Sequence, residues 1–144
     1  MSDDAADQGD APIHLFVYGT LMSRARGLLG ASQRKRLGLK GTSLGAATIP
    51  GRLIDLGTYP GLLAPATPDD IVHGEVFRLD QPGEVLPWLD SYESVSPVPS
   101  PGDDYARERV RVRLASGGSV TAWVYRYRLA PAGFAPIPGG RWQG

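Results

Sequence analysis

The chain contains no cysteine. That absence excludes a disulfide-stapled scaffold, a thiolate zinc centre and a cysteine nucleophile. Histidine is nearly as scarce: His14 and His73 are the only two, too few for a multi-histidine metal centre within one chain or for a triad that needs several. No metal site and no cofactor are expected. No apolar run approaches the roughly 20 residues that a membrane-crossing helix requires. The first twelve residues carry Asp3, Asp4, Asp7 and Asp10 and no apolar stretch, which is not the pattern of a signal peptide. A soluble cytoplasmic protein without a membrane partner is the expectation.

What is present is a chain of 144 residues, 42% hydrophobic and 21% charged. That is enough for one compact core and too apolar for wholesale disorder. Its 19 glycines and 13 prolines suit short strands joined by tight turns and disfavour a helical bundle. Fifteen basic and fifteen acidic residues balance, but unevenly. Four of the acids lie in residues 1–12, read as a disordered acidic tail, so the remainder carries +4. A single domain is expected over residues 13–130, followed by an irregular Pro/Gly-rich segment over 131–144. Between Ala11 and Ile54 there is no acid, against Arg24, Arg26, Arg34, Lys35, Arg36, Lys40 and Arg52. Such a sector is either a solvated face balanced elsewhere in the fold or a means of concentrating an anionic substrate or acidic partner.

His14-Leu15-Phe16-Val17-Tyr18 reads as a buried first strand stopped by Gly19. Residues 21–39 alternate apolar pairs with basic residues and are read as helical in part. Residues 41–56 are glycine-punctuated and β-like, and residues 57–61 supply turn chemistry. Residues 71–79 form the clearest central strand. Val85, Trp88, Leu89 and Tyr92 follow the spacing of one helix face, with Asp80 as a cap and Pro82 early. Pro87 predicts an irregular or delayed start to that helix. Residues 94–104 read as a loop, and strands over 105–114 and 119–128 as a hairpin joined by Ala115-Ser116-Gly117-Gly118. The pattern is α+β: mostly antiparallel strands with one or two helices, able to close into a small barrel.

The turn Tyr18-Gly19-Thr20-Leu21 is the first functional candidate. Gly19 has no Cβ, so it can take a positive φ or let a ligand approach the backbone. A strand ending in such a turn, with a helix opening behind it, directs successive N–H groups at one spot and holds a carboxylate or oxyanion. A plain turn is the alternative. The phosphate-loop pattern is absent.

Read with later segments, Phe16-Val17-Tyr18-Gly19-Thr20-Leu21 resembles the opening signature of the γ-glutamylcyclotransferase-like superfamily, which includes γ-glutamylamine cyclotransferases and the AIG2-like and YtfP-like proteins. Pro50-Gly51-Arg52-Leu53-Ile54-Asp55-Leu56-Gly57 and Tyr59-Pro60-Gly61-Leu62 resemble its second block, and Val72-His73-Gly74-Glu75-Val76-Phe77 its central strand. Leu89-Asp90-Ser91-Tyr92-Glu93 resembles the block with the catalytic glutamate. Tyr105-Ala106-Arg107 with Val110 and Val112 resembles the strand after it. The resemblance implies a small mixed, mostly antiparallel β-barrel with flanking helices.

It also implies intramolecular aminolysis of a γ-glutamyl amine, peptide or derivative to 5-oxoproline and free amine, with no cofactor. Glu93 would then be the general acid/base, and Tyr18, Gly19, Thr20 and Leu21 would bind the glutamyl part. Tyr105 and Tyr125 are pocket hydroxyl candidates, each with a plain core reading beside it. Glu75 and Asp90 are read as structural. Pro87 and the proline-rich residues 95–102 depart from the family's pattern and bear on the leaving group.

Two other functional classes fit parts of the sequence. One is a non-catalytic small-molecule or protein-binding module on the same fold. The other is nucleic-acid binding through Arg107, Arg109, Arg111 and Arg113, which alternate along one strand face. Zero net charge and no aromatic interleaved with that stripe argue for a solvated face, so no nucleic-acid partner is expected. An acidic carrier protein bearing a γ-glutamyl group is a narrower version of the enzymatic reading. Oligomeric state is not legible.

Overall fold

The computed structural model describes residues 13–19, 31–57, 60–92, 105–129 and 133–142. The acidic tail over 1–12, Thr20, Leu21, Tyr59 and Glu93 lie outside the described residues.

Five strands form a closed barrel: β1 (Ile13–Val17), β2 (Gly41–Pro50), β5 (Ile71–Leu79), β6 (Tyr105–Leu114) and β7 (Ser119–Tyr127). Their order is β1-β5-β2-β6-β7. Neighbours pair antiparallel except β1 with β7, whose parallel pairing at Leu15 and Trp123 closes the ring. The barrel is therefore mixed and mostly antiparallel, as expected. A separate two-stranded sheet pairs β3 (Arg52–Asp55) with β4 (Pro60–Leu63). Two described helices, α1 (Ala31–Lys40) and α2 (Pro82–Tyr92), flank the barrel.

The pleat sends alternate side chains of β1 into two cores. Phe16 meets Ile49, Val72, Val76, Val112 and Val124 in one. Ile13, Leu15 and Val17 meet Phe77 and Leu79 in the other, under Leu37 of α1 and Val85, Leu86 and Leu89 of α2. A strand buried on both faces reads as a continuous apolar run, which is why β1 was legible. The α1 sequence is strongly basic, with Leu37 fully buried and the Arg36 guanidinium 4.6 Å from the Trp88 ring centre. That cation–π contact fastens α1 to α2.

Two expectations change. The second helix is neither delayed nor interrupted at Pro87, because it runs from Pro82 through Tyr92. Pro87 removes only the bond to the Gly83 carbonyl, and both residues are exposed, so water can satisfy that oxygen. The turn expected over 57–61 also ends early, since Pro60 and Gly61 belong to β4. Proline is tolerated as the first residue of a strand. Gly61 sits against Tyr127, where a Cβ would lie 3.1 Å from that side chain.

The described part of the C-terminal segment, residues 133–142, packs against the domain. The Asp55 and Ile137 N–H groups donate to the Ala135 and Leu53 carbonyls, both at 2.8 Å. Trp142 joins the outer core.

Gly74 marks the tightest approach in the β1–β5 wall. A Cβ there would stand 2.2 Å from the Val17 carbonyl oxygen and 2.6 Å from the Phe16 ring. Gly74→Ala should therefore destabilise the fold by about 3 kcal/mol, because backbone must move to admit it. Gly38→Ala, in α1 with open space around it, should instead stabilise by about 0.5–1 kcal/mol. Urea denaturation of both variants checks the pair, and equal midpoints would contradict it.

Candidate functional site

The end of β1 and the end of α2 converge on one residue of β7. Tyr18 directly follows β1, is buried, and donates its hydroxyl to the Tyr125 backbone carbonyl at 2.5 Å. The Tyr125 hydroxyl donates in turn to Asp90 Oδ1 at 2.6 Å. Asp90 also accepts from Arg107 Nε at 3.0 Å and Nη2 at 3.3 Å, a paired charge-assisted arrangement. Tyr125 thus joins the two stretches, through its carbonyl on one side and its ring hydroxyl on the other.

The register explains the meeting. Leu15 pairs in parallel with Trp123, so Tyr125, two residues on, keeps pace with Val17 at the end of β1. α2 leaves from Leu79, which pairs with Ile13 at the start of β1, and reaches Tyr125 at Asp90. Glu93 is the residue after α2 ends at Tyr92. It lies outside the described residues, as do Thr20 and Leu21.

Gly19 is packed, with a Cβ there falling 2.9 Å from both Cγ and Cδ of Pro60. Its φ is not in the left-handed region, so close approach rather than a positive φ accounts for glycine. Pro60 is itself held by Tyr105, whose buried hydroxyl donates to the Pro60 carbonyl at 2.8 Å. The helix expected directly behind Gly19 falls outside the described residues. Tyr105 and Tyr125 are both buried, and each donates its hydroxyl to a protein acceptor. Either phenol oxygen can still accept.

Glu75, read from sequence as structural, is 8% exposed and accepts from Ser43 Oγ at 2.6 Å. Asp90 carries more than a helix or turn role, since it accepts from both Arg107 and Tyr125. The arginine stripe is likewise not uniformly solvated. Arg107 is committed to Asp90, and Trp123 lies under the guanidinium groups of Arg107 and Arg109, at 4.5 and 4.9 Å. An aromatic therefore does interleave with the stripe. It comes from the neighbouring strand, where single-strand periodicity cannot show it. Among the described residues no three His, Asp or Glu side chains cluster as a metal would require.

The family model for gamma-glutamyl cyclotransferase, AIG2-like proteins matches residues 15–144. The chain belongs to that family. Solved relatives share the fold. An AIG2-like protein from Mus musculus is 25% identical, with TM-score 0.62 over 83% of this chain and 80% of its own. YkqA from Bacillus subtilis is 22% identical, with TM-score 0.64 over 91% of this chain. The match spans 39% of the YkqA chain. A gamma-glutamyl cyclotransferase is 18% identical, with TM-score 0.58 over 88% of this chain and 72% of its own. No curated protein matches significantly.

For this member of the gamma-glutamyl cyclotransferase, AIG2-like family, the Asp90–Arg107–Tyr125 cluster is the part that sequence reasoning missed. The available signal was the Tyr105-Ala106-Arg107 block, whose arginine was read with the outer stripe. Tyr125→Phe removes one hydrogen bond to a charged acceptor and should cost about 1.5–3 kcal/mol. In a double-mutant cycle with Arg107→Gln the two losses should not add, because both groups hold one carboxylate. Additive losses in chemical denaturation would show that the cluster does not act as a unit.

Proposed function

We propose that the chain catalyses intramolecular aminolysis of a γ-glutamyl amine, peptide or derivative. The substrate's α-amino nitrogen attacks its own γ-carbonyl carbon, the C–N bond to the leaving amine breaks, and 5-oxoproline and free amine result. Nucleophile and electrophile are already tethered, so the protein's main task is to fold the substrate into a near-attack shape. Glu93 accepts the proton from the attacking nitrogen and returns one to the leaving nitrogen, a task one carboxyl group can perform in sequence. Backbone N–H groups of Tyr18, Gly19, Thr20 and Leu21 hold the substrate carboxylate or the developing oxyanion, where preorganised donors contribute most to rate.

The observation that carries this reading is the double use of Tyr125. Its bonds to Tyr18 and Asp90 bring the glycine turn and the helix turn preceding Glu93 onto one residue, in a chain of this family. In this reading Asp90 is a positioning residue, because its three bonds fix the last turn of α2 just before the proton carrier.

Purified protein offered a panel of γ-glutamyl amines and dipeptides should release 5-oxoproline. Glu93→Gln should lower kcat by about 10²–10⁴-fold while the fold is kept. A Glu93→Gln variant as active as the parent would overturn the residue assignment. A folded parent inert on the whole panel would favour a binding module on the same fold.

A further inference from the structure

A concave feature whose lining includes none of Tyr18, Asp90, Arg107 and Tyr125 lies across the outer face of β5, β2 and β6. It is a trough of about 810 Å³. Its floor is low because Ala46, the register partner of Glu75, presents only a methyl group there, and the bulge between Ser43 and Gly45 bends β2 beneath it. His73 pairs with Thr48 across β5–β2, and Thr48 pairs with Arg113 across β2–β6. Residues directly opposite in antiparallel ladders project to the same side, so these three form one row. Arg141 completes that end of the lining.

Arg141 is held there by its neighbours. Gly140 is buried, and a Cβ on it would stand 1.9 Å from the Ile71 carbonyl oxygen. Trp142, on the other side, is 9% exposed within the outer core. The arginine is thus clamped between two packed residues, with its own side chain exposed. Among the described residues neither Arg113 nor Arg141 has a carboxylate partner.

We propose that this trough binds a small molecule by one oxyanion group, a carboxylate or a phosphate, seated between Arg113 and Arg141 with Thr48 and His73 beneath it. Both arginines line the trough, and a guanidinium presents the planar paired donors that such groups accept. Glu75, two residues along β5 and so about 7 Å away, lies at the other end with Ser43 as its donor. This ligand is inferred without reference to the proposed reaction.

His73 reports on occupancy. Burial, and then the Arg141 guanidinium, hold its imidazole below the ordinary value of 6.5. The charged groups lining the trough with it are Arg113 on β6, Arg141 on the C-terminal segment and Glu75 on its own strand. An anion beside Arg141 offsets the repulsive charge and raises the His73 pKa.

The chain's two histidines make this measurable by NMR of the imidazole protons in the full-length protein. Sulfate, acetate and chloride are titrated separately at constant ionic strength. Sulfate or acetate should shift the His73 signal saturably and move its titration upward, leaving His14 unmoved. Saturation by sulfate alone assigns a phosphorylated ligand, and saturation by acetate alone assigns a carboxylate. The double variant Arg113→Gln, Arg141→Gln, altered only at exposed side chains, should bind about tenfold or more weakly. An unchanged His14 signal in that variant confirms its fold. A His73 response no larger than that to chloride, or a double variant that binds like the parent, would overturn the proposal.

Discussion

The carbonyl and hydroxyl of Tyr125 hold together the end of β1 and the last turn of α2, the parts to which the proposed reaction is assigned. The carbonyl accepts from Tyr18 at the end of β1, and the hydroxyl donates to Asp90 in the last turn of α2. Both contacts follow from the parallel β1–β7 pairing that closes the barrel. Without that closure β7 would not run beside β1, and the glycine turn would have no link to the helix. Because Tyr18 and Tyr125 are buried, leaving either polar group unpaired would carry a desolvation penalty. The junction is therefore specified in geometry as well as in energy.

Around this junction the structure uses close approach in place of large side chains. Gly19 lies against Pro60, and Gly74 lies against the Val17 carbonyl. These contacts keep the end of β1 stacked between β4 and β5. Pro60 is fixed from its other side by Tyr105, so the small β3–β4 sheet belongs to the frame of the site. The C-terminal segment completes that frame by bonding to Leu53 and Asp55.

The outer barrel surface is divided by what covers it. Over β1 and β5 the helices bury an apolar layer. Near the β6–β7 end Asp90 draws Arg107 out of its stripe and onto α2. Farther along β6, Arg113 lines the trough that Arg141 also lines. Arginines six positions apart on one strand, Arg107 and Arg113, thus serve different neighbours, because each meets a different element.

Local pattern determined a good deal by itself. The apolar run of β1, the 71–79 strand, the 105–128 hairpin and the apolar spacing of α2 all report burial that nearest neighbours in sequence reveal. The ordered family blocks around Tyr18, Gly74, Asp90 and Tyr105 pointed to the barrel. Register and long-range partners were decided only by the tertiary structure. Nothing between residues 90 and 125 announces that Asp90, Arg107 and Tyr125 share one carboxylate, or that Trp123 comes to lie under two arginines. Those contacts depend on which strands become neighbours and on how far each is shifted. Gly61 and Pro60 read as a turn for the same reason, since only their pairing with Ile54 and Asp55 of β3 makes a strand of them. Hydrophobic periodicity is a property of one segment, whereas hydrogen-bond partnership is a property of the closed barrel.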